Sequence, residues 1–195
     1  MAIAIEDIKK LRDSTGAGMM KAKEALEAAN GDFDAAVEHL RKSGAASAAK
    51  KADREAREGL IEAYVHSGRI GVVVEINCET DFVARTDDFK SFARDIAMHI
   101  AAANPAYLNP EAVPAEAIES EKRVYAEETK GKPEEIAAKI VDGKLAKFYE
   151  STCLVQQPFI KDPDKTIDGL TKELIAKLGE NIVIRRFTRL ELGAN

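Results

Sequence analysis

A run of strict alternation, followed within a few positions by a helical stripe, leaves the middle of this chain little conformational choice. Ile70, Val72, Val74, Ile76 and Cys78 alternate with Gly71, Val73, Glu75 and Asn77. A period of two rich in β-branched residues predicts a strand with one face fully buried. Phe89, Phe92, Ala93, Ile96, Ala97, Ile100 and Ala101 then recur at spacings of three and four. That stripe predicts a helix over 87–103 with those residues inward. Thr86-Asp87 supplies its N-cap, and Asn104-Pro105 ends it. Thr80 to Arg85 fits neither period, yet it sets an aromatic, Phe82, beside a carboxylate, Asp81. A short junction between two rigid elements is where binding groups are presented.

Residue type alone leaves two readings of that junction. Lone aromatics are usually buried, which would pack Phe82 under helix 87–103 and make Asp81 a turn or cap residue. The alternative is an exposed Phe82 that wedges into another molecule, with Asp81 orienting it or competing for a polar partner.

The sheet must be larger than one strand. Gly59 opens a hairpin in which Ile61, Ala63 and Val65 face one way and Leu60, Glu62, Tyr64 and His66 the other. Ser67-Gly68 is its turn. Ile182 to Leu192 predicts a third strand, whose alternation slips near Arg185-Arg186, where a bulge would re-aim the side chains. Three strands make a sheet that can stand, with helix 87–103 and later helices over one face. Val73, Val183 and Phe187 lie opposite the residues that face those helices, so the second face also asks for cover. A symmetric second copy is the simplest cover.

Upstream, residues 1–43 predict three short helices. Ile5, Ile8 and Leu11 mark the first. Met19, Ala22, Leu26 and Ala29 mark the second, stopped by Asn30-Gly31. Phe33, Ala36, Val37 and Leu40 mark the third, capped by Asp32. So small a bundle is marginal alone and suits a module that docks on something. Met20 points away from the apolar stripe toward Glu24 and Glu27, either folded back locally or forming an adaptable contact surface. Residues 44–58 read as a linker, with a solvated charged helix from Lys50 to Glu58. The cluster Arg41, Lys42, Lys50, Lys51, Arg54 and Arg57 could attract RNA, but Asp53, Glu55 and Glu58 are interleaved with its second half and no aromatic is available for base stacking.

Downstream, 104–114 reads as a loop. A helix over 114–129 would turn Ala117, Ile118, Val124 and Tyr125 inward. A second, starting at Pro133, would bury Ile136, Ala137, Ile140, Val141, Leu145 and Phe148, with Gly143 a point of interruption. Cys153-Leu154-Val155 reads as extended, and Pro158 and Pro163 bound an irregular stretch. Leu170, Leu174, Ile175 and Leu178 stripe a last helix closed by Gly179. The fold class is therefore α+β. A three-helix, ubiquitin-associated-like module (1–43) and a linker (44–58) precede a core (59–195) built on a three-stranded antiparallel sheet covered by helices.

Composition narrows function by exclusion. The 195 residues carry a net charge of −5, whereas a dedicated nucleic-acid binder is usually basic. Direct nucleic-acid and membrane partners are not expected. The absence of a signal-peptide pattern and the two widely spaced cysteines, Cys78 and Cys153, point to a reducing, cytoplasmic setting. Gly16-Ala17-Gly18-Met19-Met20-Lys21 lacks the spacing of a phosphate-binding loop and follows no strand. His39, His66 and His99 show no metal-ligand spacing, and His99 reads as a hydrogen-bonded helix residue. No cofactor, metal or enzymatic site is expected.

Three motifs in order carry a family resemblance. Asn77-Cys78-Glu79-Thr80-Asp81-Phe82-Val83-Ala84 resembles the core signature of translation elongation factor Ts. Thr15-Gly16-Ala17-Gly18-Met19-Met20, followed by Lys23 and Ala25-Leu26, resembles that family's N-terminal signature. Gly179-Glu180-Asn181-Ile182-Val183-Ile184-Arg185-Arg186-Phe187 is similar to a third. The length resembles the short form, in which a homodimer replaces a missing second half. Longer members hold two related core subdomains and a coiled-coil insertion, and this chain is too short for both.

The resemblance implies a guanine-nucleotide exchange factor for the translational GTPase elongation factor Tu, in its GDP-bound and nucleotide-free states. It assigns Thr80, Asp81, Phe82 and Val83 to insertion near the partner's magnesium ion, and Met19 and Met20 to docking. Two other classes compete. A peptide-binding adaptor would use the three-helix module and has no need of the Asp81-Phe82 junction. A small enzyme using Cys78, Glu79 or Asp81 would need a pocket and a nearby base.

Overall fold

The computed structural model describes residues 3–194, and the chain is α+β. Three strands, β1 (Glu58–His66), β2 (Ile70–Cys78) and β5 (Ile182–Glu191), form an antiparallel sheet in the order β1-β2-β5. The hairpin turn is built from φ of 49° at Ser67 and 67° at Gly68, closed by the Arg69 N–H donating to the His66 carbonyl at 2.9 Å. Two positive φ angles in a row match the twist of paired strands, which is why a Ser-Gly dipeptide fixes this register. Gly59 is required for a different reason. Its φ is +141°, and a Cβ there would stand 2.1 Å from the Ile76 carbonyl oxygen.

The chain clusters into two compact units. One takes in everything up to Ile61, with Glu75–Ala93 and Gly169–Arg185. The other takes in Glu62–Val74, Arg94–Asp168 and the residues from Arg186 onward.

In the first unit, α1 (Ile5–Thr15), α2 (Met19–Ala28) and α3 (Phe33–Ala49) share a core of Ile8, Leu11, Ala22, Ala25, Leu26 and Ala36. Phe33, Val37 and Leu40 pack against it, while Ile5 is exposed rather than inward. Asn30 and Gly31 take positive φ and stop α2, and the Asp32 carboxylate accepts from the Ala35 N–H at 2.9 Å to start α3. That helix continues through Ala49, 50–53 forms turns and 54–57 is irregular, so no separate helix spans Lys50–Glu58. The Ala-rich run has the highest helix propensity available and simply prolongs α3.

Helix α5 (Asp87–Ala103) buries the stripe read from sequence: Phe89, Phe92, Ala93, Ile96, Ala97, Ile100 and Ala101. Val72, Val74, Ile76 and Cys78 are the buried face of β2. On β5 the buried parity changes across Arg185-Arg186. Ile182 and Ile184 are buried before it, and Phe187 and Arg189 are half-buried after it. Phe187 therefore leaves the face of Val183 expected for it. The opposite face remains apolar and open on β1 at Ile61 and Val65, on β2 at Val73 and on β5 at Leu190.

In the second unit, His99 is buried and fully used. Its Nε2 pairs with Gln157 Oε1 at 3.0 Å, and its Nδ1 accepts from the Ile160 N–H at 3.4 Å. Burial pushes its pKa below the ordinary imidazole range. Helices α6 (Ala115–Glu128) and α7 (Glu134–Thr152) pair as a hairpin, with Gly143 carried inside an unbroken α7. Neither helix has a fully buried residue, and Val124 and Ile136 are exposed rather than inward. Leu154–Gln156 is a 3-10 turn rather than an extended segment. The stretch between the two prolines is a small hairpin, β3 (Pro158–Phe159) against β4 (Asp162–Thr166), followed by α8 (Ile167–Leu178). No helix among the described residues is long and apolar enough to cross a membrane.

Candidate functional site

Where β2 ends, the chain makes a single helical turn, α4 (Asp81–Ala84), before α5 begins. Four residues cannot hold a helix by their own hydrogen bonds, because nucleation costs more than one turn returns. The turn is held from both ends. Thr80 is extended (φ −129°, ψ 154°), and its Oγ1 accepts from the Val83 N–H at 3.5 Å. At the far end, Thr86 Oγ1 donates to the Val83 carbonyl at 2.8 Å and accepts from the Phe89 N–H at 3.3 Å. Ala84 is buried and fixes which side of the turn faces in.

Phe82 consequently points out. It is 78% exposed, more than any other large apolar side chain among the described residues. Asp81 is half-buried and pairs with Arg85 at 2.7 Å, one turn along. Thr80 and Val83 flank the ring and are also half-buried. The four junction residues thus form one small convex corner with an aromatic at its tip.

A polar clamp lies behind this corner, and no sequence pattern announced it. Glu180 Oε2 accepts from the backbone N–H groups of Glu79 (3.1 Å) and Thr80 (2.9 Å), and its Oε1 accepts from the Thr80 hydroxyl at 2.6 Å. In return, the Asn181 N–H donates to Glu79 Oε1 at 2.6 Å. The Asn181 amide then donates to the carbonyls of Ala52 (3.3 Å) and Arg54 (2.8 Å). The one available signal was Glu180-Asn181 in the third motif, just past the helix stop at Gly179, where no periodicity points to a partner.

Cys78 does not make this corner reactive. It is free and fully buried, and its Sγ donates to the Thr80 carbonyl at 3.1 Å. Burial first, and the nearby Glu180 carboxylate second, push its thiol up to about 11. The nucleophile of cysteine chemistry is the thiolate, so this sulfur is unsuited to attack at neutral pH. Among the described residues, no three His, Cys, Asp or Glu side chains gather in a way that could hold a metal.

The second candidate surface lies on α2. Gly18 is its N-cap, Met19 is 39% exposed and Met20 is 67% exposed. Met19 is therefore less enclosed than its place in the stripe suggested. Ala22, Ala25 and Leu26 turn inward behind them. Lys21 donates to the Ala176 carbonyl at 3.1 Å, near the C-terminus of α8, where a cation satisfies open carbonyls. Lys177 pairs with Asp88 at 2.7 Å.

Comparison with known proteins bears on what these surfaces serve. The family described as Elongation factor TS matches residues 9–173. Elongation factor Ts of Thermodesulfovibrio yellowstonii is 54% identical over 194 residues, covering 99% of this chain and 98% of that protein. The corresponding figures for Elongation factor Ts of Syntrophus aciditrophicus are 55% over 196 residues, 99% and 98%. For that of Carboxydothermus hydrogenoformans they are 59% over 194 residues, 98% and 89%. With similarity running along the whole chain and spanning the three-helix module, the sheet and the Phe82 corner alike, the chain belongs to the elongation factor Ts family.

Proposed function

We propose that this chain releases GDP from elongation factor Tu by inserting Thr80, Asp81, Phe82 and Val83 beside the partner's magnesium ion. Family membership makes it a translation elongation factor with a nucleotide-exchange role. The observation that carries the finer reading is the 78% exposed ring of Phe82 on a turn pinned at both ends. Magnesium bridges the phosphates of a bound nucleotide to protein oxygens in a strict octahedral geometry, so small displacements weaken it. A ring that shifts the partner's elements near the ion costs GDP affinity, and no bond is made or broken. The effect is a coupling free energy and is reciprocal: GDP weakens binding of this chain by the factor by which this chain weakens GDP. GTP then completes the exchange.

Met19 and Met20 serve as the docking contact on the partner's GTP-binding domain, with the three-helix module (1–43) presenting them. The stretch 44–58, whose first part prolongs α3 to Ala49, leads from it to the core (59–195). Exposed methionines suit such a surface because the thioether adapts its shape. The open apolar face of Ile61, Val65, Val73 and Leu190 supports a homodimer built through the sheet. Light scattering at micromolar concentration should give twice the chain mass, and Val73→Asp should return the monomer. A monomer mass for the unaltered chain overturns the dimer.

The direct test is release of labelled GDP from elongation factor Tu with and without this protein. Faster release that saturates with concentration supports exchange. An unchanged rate sinks it and leaves the adaptor reading of the module.

A further inference from the structure

We infer that Glu180 is a positioning residue for exchange, the group that holds the Phe82 turn stiff enough to act as a wedge. The inference rests on the wedge reading and adds what makes the wedge rigid. An exposed ring transmits force only if its mount does not yield, and α4 is too short to supply that stiffness. Ala84 anchors one side of the turn, and Thr86 closes the downstream end. The upstream end has a single carboxylate, from a residue 100 positions away in sequence, that accepts three hydrogen bonds from two consecutive residues.

The arrangement asks for an acceptor on both oxygens. All three contacts are donors aimed at Glu180: two backbone N–H groups on one oxygen and the Thr80 hydroxyl on the other. Hydrogen bonds to a charged acceptor are shorter and stronger than neutral ones. The Thr80 hydroxyl is the pivot. Because its proton is committed to Glu180, its lone pairs are left facing the Val83 N–H, and this is the cap that starts α4. Removing the carboxylate frees the hydroxyl to turn and leaves the Glu79 and Thr80 N–H groups without their acceptor. The ring remains, but on a loose stem. Glu79 and Asn181 brace the same two segments in the opposite direction, so the strand end stays attached when Glu180 is altered.

Glu180→Gln tests this with nearly unchanged shape. One side of an amide must then face a donor with a donor. Glu180→Ala removes the acceptor altogether. GDP release from elongation factor Tu is followed over a range of factor concentrations, with thermal unfolding as the check on folding. Both variants should lower the saturating rate, Glu180→Ala by about tenfold, the scale expected for losing charge-assisted hydrogen bonds. The concentration giving half the effect should move by less than about twofold, since the Met19–Met20 surface is untouched. Combined with Phe82→Ala, Glu180→Gln should add nothing, because a mount without a wedge has no work to do. Combined with Met20→Asp, its effect should be independent.

A folded Glu180→Gln with an unchanged saturating rate overturns the inference, provided Phe82→Ala is impaired. So does a loss that adds fully to that of Phe82→Ala. A fully active Phe82→Ala removes the wedge reading itself, which is a separate failure. If Glu180→Ala does not fold, the Gln variant and its pairing with Phe82→Ala decide the matter alone.

Discussion

Met20 and Phe82 are both large apolar side chains left in the open, and they are mounted in opposite ways. Met20 stands near the start of α2, in a three-helix module with its own core of Ile8, Leu11, Ala22, Ala25, Leu26 and Ala36. Packed side chains hold that helix, and Met20 is 67% exposed upon it. Phe82 stands on a four-residue turn with one buried residue, Ala84, and that turn is held by directed hydrogen bonds: Thr80 donates to Glu180 and Thr86 donates to Val83. A methionine carries three rotatable bonds and adapts to what it meets. A phenylalanine has two side-chain torsions and keeps its shape. The first suits a contact that tolerates variation in fit, and the second suits a contact that must displace something.

That contrast predicts different kinetic losses. Phe82→Ala should reduce the saturating rate of GDP release from elongation factor Tu by about thirtyfold, the scale of a central aromatic anchor. Its thermal unfolding should stay close to that of the unaltered chain, because an exposed ring stabilises its own fold little. Saturating release at the unaltered rate would break the comparison at its stronger end. Met20→Asp should act on the other axis, raising the half-saturating concentration by about tenfold with the plateau retained. In the proposed contact the added carboxylate would lose water without gaining a paired charge. A lowered plateau with the concentration dependence unchanged would show that α2 does more than dock.

The two mounts also differ in how visible they are in sequence. Packing leaves a period. The stripe of α5 from Phe89 to Ala101, the alternation of β2 and the stop at Asn30-Gly31 all read directly, because each is a local consequence of burial or of a positive φ. Val124 and Ile136 show the limit of the same rule. They lie on helical stripes of α6 and α7, but neither helix buries any residue fully, and a stripe says nothing about whether something covers it. The polar mount leaves no period at all. Glu180 is an acid just past a helix end, like many others, and only the fold brings its carboxylate to the N–H groups of Glu79 and Thr80. The spacing of the junction likewise could not choose between a buried and an exposed Phe82. The choice follows from Ala84 taking the inward position as the one buried residue of the turn.

The smallest effect expected is the one that separates the two mounts by pH. Cys78 lies under the junction, with its thiol donating to the Thr80 carbonyl and its pKa pushed up to about 11 by burial. In the unfolded chain the same thiol ionises near its ordinary value of about 8.5. Between those two values the unfolded state has lost a proton that the folded state retains. Stability therefore falls as pH rises through that window and is fully present below it. The module's core is wholly apolar and has no counterpart to this thiol. Amide exchange, corrected for its intrinsic rise with pH, should show protection at Glu79 and Thr80 declining from about pH 9 upward. Ala25 and Leu26 should keep theirs. Cys78→Ser should shift or abolish the decline, since a hydroxyl does not ionise in this range. A parallel loss in both regions would mean that they open together, and that the corner carrying Phe82 has no stability of its own to lose.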